Sequence, residues 1–177
     1  PRWICLADFN GDGWLDLYVT TSESEGSNAL YRNRGDGTFI DVAPEFGLAE
    51  LNGGDTGSSM GSIWADYDND GDLDMLLYRW GELSLYAQND NRQFVDVTES
   101  AGLRRRMNAG SAIWWDFDND SDLDIYVAGY FTADIDLANT ATTKVLANSF
   151  EYATNGGHNV LFENLGDGTF LDGTDTY

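Results

Sequence analysis

One phrase of this chain is written three times. "DFNGDGWLD" occupies residues 8–16, "DYDNDGDLD" 66–74 and "DFDNDSDLD" 116–124, so the copies begin 58 and 50 residues apart. Repetition at such a period marks an architecture of stacked supersecondary units, each too small to bury its apolar face alone. After each copy runs an alternating segment, "LDLYVT" (15–20), "LDMLLY" (73–78) and "LDIYVA" (123–128), and before each lies "WICLA", "GSIWA" or "SAIWW". Alternation with a period of two reads as half-buried strand, so each acidic phrase is a loop joining two strands.

A second motif follows each loop at a distance. "ALYRNRGDGTFIDV" (29–42), "SLYAQNDNRQFVDV" (84–97) and "VLFENLGDGTFLDG" (160–173) read as strand, turn rich in Gly, Asn and Asp, and strand. Each unit therefore has four short strands and about 50 residues, the pattern of a β-propeller blade. The predicted fold is all-β: about three four-stranded blades in one segment, with units near 1–50, 51–103 and 104–177. An open β-solenoid is the runner-up and a β-sandwich the third choice. Three blades do not close a ring, since propellers have four to eight, so the chain reads as a segment of a longer propeller, with assembly of units between chains as the alternative. The third unit carries about 26 extra residues near 130–157, with Tyr130, Phe131, Asp134, Asp136, Phe150, Tyr152 and the only histidine, His158, in or beside them. Such insertions map to surface loops and often bind, so this one reads either as the place for a specific contact or as a disordered, merely decorative loop.

The loop 66–74 holds five aspartates and one asparagine. Two carboxylates forced to within about 4 Å repel by roughly 4 kcal/mol at an effective dielectric near 20, so these loops call for a cation. Oxygen-only donors with no Cys or His beside them favour calcium, one ion per loop and about three in all, with magnesium second because it demands a tighter octahedron. The expected ligands are the side chains at loop positions one, three, five and nine: Asp8, Asn10, Asp12 and Asp16; Asp66, Asp68, Asp70 and Asp74; Asp116, Asp118, Asp120 and Asp124. Position seven, Trp14, Asp72 and Asp122, is expected to supply a backbone carbonyl. Position six is Gly13 and Gly71 but Ser121 in the third loop, where strain is expected. An EF-hand is excluded, because the twelfth position is Val19, Leu77 and Val127 in place of Glu and the flanks alternate like strands.

Loop, strands and "GDGTF" hairpin recur together, and "WADYDNDGDLDMLLY" followed by "FVDVTESAGL" resembles the FG-GAP/VCBS repeats of integrin-α-like propellers, especially the cartilage-acidic-protein-like and ASPIC-type secreted proteins. The resemblance spans nearly the whole chain outside the insertion. It implies a seven-bladed propeller, structural calcium at the positions already named, and adhesion. Ser121 and the turn Asp90–Gln93, which lacks "GDG", depart from the pattern without removing a carboxylate.

The net charge of −22 excludes nucleic acid and anionic membrane as main partners and makes a cation the natural one. One cysteine and one histidine exclude an internal disulfide and a Cys/His zinc site. The "RGD" at 34–36 aligns with Leu165-Gly166-Asp167 and reads as a hairpin turn. Arg104-Arg105-Arg106 reads as a solvated connection between units, with contact to an acidic partner or a neighbouring blade as the second reading, Cys5 as a buried free thiol, and Trp64 and Trp114 as equivalent packing positions. The sequon at Asn119 lies inside a metal loop, where a glycan would compete with coordination. The function expected is a calcium-binding extracellular module for protein or glycan interaction, calcium being plentiful outside cells. The alternative is an enzyme, a polysaccharide hydrolase or lyase using Asp134, Asp136 and His158. No Ser-His-Asp, Cys-His or phosphate-loop arrangement supports a catalytic reading.

Overall fold

The computed structural model describes residues 2–54, 56–132 and 156–176, and among them the chain is all-β with no helix. The first four strands, β1 (Arg2–Ala7), β2 (Asp16–Thr21), β3 (Ala29–Asn33) and β4 (Phe39–Asp41), form an antiparallel meander in chain order. Next come β5 (Gly57–Ala65), β6 (Asp74–Glu82), β7 (Ser84–Gln88) and β8 (Phe94–Asp96), then β9 (Arg106–Trp115), β10 (Asp124–Phe131), β11 (Val160–Asn164) and β12 (Phe170–Asp172). Each set repeats the antiparallel order of the first. The strands expected on either side of each acidic loop are present.

One connection departs from simple repetition. β6 and β9 run past the region where β6 pairs with β7, and their ends pair with each other at Trp80↔Asn108, Gly81↔Met107 and Glu82↔Arg106. The second and third units thereby share one eight-stranded sheet. β5 packs against β1, β2 and β9, which sets the leading strands of the three units side by side.

The core lies between units. The run Met75-Leu76-Leu77 on β6 is entirely buried and splits by parity. Met75 and Leu77 join Phe9, Tyr18, Leu30 and Leu48 of the first unit, whereas Leu76 joins Ile125, Val127 and Phe162 of the third. A strand buried on both faces reads as a continuous apolar run, which is how this segment is written. Aromatic side chains seal both boundaries: Trp64 meets Tyr18 and Phe94 edge-on, and Tyr67 stacks on Trp114 near Phe170. Leu6 occupies the register position of Trp64 and Trp114, yet it is 57% exposed on the first unit's outer face. Ile113 and Trp115 are exposed at the other end of the stack.

No helix among the described residues is long and apolar enough to cross a membrane.

Candidate metal loops

Each acidic loop lies between the first two strands of a unit, where the chain must reverse in eight residues without regular pairing. Two positions in each take left-handed backbone. Position four is Gly11, Asn69 and Asn119 at φ 66, 60 and 64°, and position six is Gly13, Gly71 and Ser121 at φ 86, 97 and 82°. Glycine and asparagine tolerate this region, whereas serine pays a steric cost there, as the sequence leads one to expect.

The left-handed turns let the position-one aspartate fold back over the loop. Asp8 accepts the amides of Asp12 and Gly13 at 3.0 and 2.8 Å, and Asp66 accepts those of Asp70 and Gly71, both at 3.0 Å. Asp116 accepts only the Ser121 amide, at 3.2 Å, and its Oδ1 is buried without a partner. Positions three and five close short turns onto the amides of positions five and seven: Asn10, Asp68 and Asp118 in the first case, Asp12, Asp70 and Asp120 in the second. Position seven presents unlike side chains: Trp14 lies against Gly35, the Asp72 carboxylate is half-exposed, and Asp122 accepts the Asn69 side-chain amide at 3.0 Å.

Position nine begins the second strand and is buried, with Asp16, Asp74 and Asp124 no more than 1% exposed. Asp74 and Asp124 each accept two backbone amides, from Gln88 and Tyr67 and from Asn164 and Phe117. Asp16 accepts the Asn33 amide at 2.7 Å through Oδ1, and its Oδ2 is buried.

Carboxylate oxygens of Asp66, Asp68 and Asp74 lie within 4.8 Å of one another, as do those of Asp116, Asp118 and Asp120. Asp8, Asp12 and Asp16 form no such group among the described residues, since Asn10 holds the third position. The electrostatics are those of unneutralised like charge. Burial first, and then Asp68 and Asp70, push Asp74 up to about 7 against its two amide bonds. Burial and the neighbouring aspartates likewise raise Asp68, Asp16 and Asp124, and Tyr67 rises to about 12. A hard divalent cation answers both features, because it takes oxygen donors only and offsets the repulsion.

The remaining expectations fare unevenly. The "RGD" turn is a hairpin turn, closed by Arg34 N to Thr38 O at 3.0 Å, with Asp36 tied to the Thr38 amide and hydroxyl. The basic cluster is not merely solvated: Arg104 pairs with Glu99 at 2.9 Å and Arg105 with Asp172 of the third unit's last strand. Cys5 is a free thiol but half-buried, and burial pushes its pKa up. His158 lies beside Arg105, Phe131 and Gly157 in a small cavity. Asp134 and Asp136, with most of the 130–157 insertion, fall outside the described residues. Sequence reasoning missed Asn33, Gln88 and Asn164, the strand-ending residues that hold the buried position-nine aspartates. The signal was present in "YRN", "YAQ" and "FEN", three amide side chains at one place in the repeat.

The FG-GAP-like repeat family matches this chain over residues 8–77 and 66–127, spans that contain all three acidic loops. Over 100 residues the chain is 31% identical to cartilage acidic protein 1 of Xenopus tropicalis. That alignment covers 54% of this chain and 14% of the relative.

Proposed function

This chain belongs to the FG-GAP-like repeat family, and on that premise we propose that it is a segment of a calcium-binding extracellular β-propeller whose role is protein or glycan interaction. The three four-stranded units are its blades, at about 1–50, 51–103 and 104–177. Each loop holds one calcium ion through its side chains at positions one, three, five and nine and the carbonyl at position seven. The ion is structural: it neutralises carboxylates that the fold gathers at one place and locks the loop between two strands.

The observation that carries this reading is Asp74, fully buried and within 4.8 Å of Asp66 and Asp68, with no cationic side chain among its hydrogen-bond partners. A buried carboxylate beside two others is costly unless a positive charge joins them. The apolar outer faces support the propeller reading. Leu6 stands where Trp64 and Trp114 are packed in the other units, and further blades of a seven-bladed ring would cover it.

The test is a thermal melt in excess chelator, followed by calcium and magnesium titrations. A cation at 100 times its dissociation constant adds about 2.7 kcal/mol per site, so three loops give a large, calcium-selective rise in melting temperature. A chain that unfolds at the same temperature in chelator and in millimolar calcium would overturn the assignment.

A further inference from the structure

The acidic loops are tied to one another by a device that repeats. β3, β7 and β11 end on Asn33, Gln88 and Asn164, whose backbone amides donate to the position-nine aspartates of their own units at 2.7, 2.8 and 2.8 Å. The side-chain amide of the same residue donates to the carbonyl just before that aspartate: Leu15 at 3.1 Å, Leu73 at 3.0 Å and Leu123 at 3.1 Å. In the second and third units it donates once more, across the boundary, to position two of the preceding loop. Gln88 reaches the Phe9 carbonyl at 3.0 Å, and Asn164 reaches that of Tyr67 at 2.9 Å.

Gln88 and Asn164 are 3% and 2% exposed, so these bonds are not traded freely with water. Position two lies between the ligand positions one and three. One buried amide therefore fixes the end of its own loop and the start of the loop before it. A second tie joins the last two loops directly, from the Asn69 side chain to the Asp122 carboxylate.

Resting on the calcium reading above, we infer that Gln88 and Asn164 couple the three loops, so that a cation held in one loop raises the affinity of its neighbours. Without a cation the crowded carboxylates push the loop open. A bound ion draws positions one, three, five and nine together and orders the backbone carbonyls at positions two and eight. Because those carbonyls share an amide donor with the adjacent loop, the neighbour binds its own ion with part of its ordering already complete. The coupling is reciprocal, and the middle loop, joined on both sides, is its centre.

The experiment is a calorimetric calcium titration of the whole chain, compared with Asp66→Asn/Asp68→Asn, which removes the middle site and leaves every ligand of the outer loops in place. Coupling predicts that the outer loops lose affinity by about 5-fold or more. Gln88→Leu, which keeps the side chain's bulk and removes both amide bonds, should still take up three ions but with the first loop uncoupled. Its folding is checked by a melt in saturating calcium, and the Asp66→Asn/Asp68→Asn comparison stands without it. Outer-loop affinities unchanged by loss of the middle site would overturn the coupling while leaving the calcium reading intact. No calcium uptake by the unaltered chain would instead overturn the calcium reading and this inference with it.

Discussion

Tyr67 and Trp114 stack face to face across a unit boundary, their ring centroids 6.2 Å apart and their planes 13° from parallel. Tyr67 is position two of the middle acidic loop and Trp114 lies on β9, so the contact joins that loop to the leading strand of the third unit. Trp114→Ala removes this stack and the neighbouring contact with Phe170. Since Trp114 is half-buried, the expected loss is about 2–3 kcal/mol, below the cost at a fully buried site. Trp114→Phe should cost far less, because the indole Nε1 is buried without a partner and phenylalanine omits that orphan donor. Urea melts of both variants check this, and an equal loss in the two would place the energy in the indole rather than in stacking.

The pair Arg105–Asp172 makes stability depend on pH at the acid end. Burial pushes Asp172 up, but bonds from Thr174 and the Arg105 guanidinium outweigh it and hold the carboxyl below its usual value. A depressed folded-state pKa gives stability that is present above the unfolded value, near ~3.9, and is lost as pH falls through the folded value. Both side chains are about 40% exposed, 39% and 41%, so the pair is worth about 0.5–1 kcal/mol at most. Asp172→Asn should be less stable than the unaltered chain by that margin at pH 7 and nearly equal to it at pH 3. A gap of the same size at both values would remove the carboxylate's charge as its source.

The parts of this fold that repeat were legible, because a repeat lets three noisy copies report one element. β2, β6 and β10 could be placed from "LDLYVT", "LDMLLY" and "LDIYVA", and the left-handed position six from Gly13 and Gly71. What belongs to one copy alone was not. "RWGE" at 79–82 lies beyond the alternating run, yet it extends β6 to pair with β9, while Gly81 admits the close approach of Thr56 and Gly57 on the β5 side. Gln88 shares its place in the repeat with Asn33 and Asn164, but the shared amide alone does not say that its side chain reaches a carbonyl 79 residues away. Arg105 found its carboxylate on β12 at the far end of its own unit, 67 residues along the chain, a pairing that no local pattern announces.

Ser121 is the one non-glycine at position six, at φ 82° beside the 86° and 97° of Gly13 and Gly71. A left-handed conformation costs a non-glycine residue about 1–2 kcal/mol, of which glycine returns part through its larger unfolded-state entropy. Ser121→Gly should therefore raise stability in chelator by about 0.5–1 kcal/mol and tighten cation binding in the third loop. The check is a melt in chelator together with a calcium titration. A destabilised variant would mean that the serine supplies an interaction worth more than its strain.

Gly57 and Gly81 face each other across β5 and β6, in the stretch of β6 that also pairs with β9 of the third unit. Both have positive φ, 93° and 145°, and a methyl group on Gly81 would collide with the Thr56 carbonyl and crowd the Gly57 Cα. Rigid backbone cannot yield as the end of a flexible side chain does, so Gly81→Ala must separate the strands or abandon the backbone angle. The expected loss is about 3 kcal/mol, the sum of steric overlap and a poorly populated conformation. The damage should be local in one respect: pairing at Trp80↔Asn108 and Glu82↔Arg106 fails first, because it lies on either side of the collision. Hydrogen exchange resolves this. Amides at the ends of β6 and β9 should lose protection in Gly81→Ala well before those of β7 and β8, and uniform loss across the unit would show that the extension folds and unfolds with the rest of the unit.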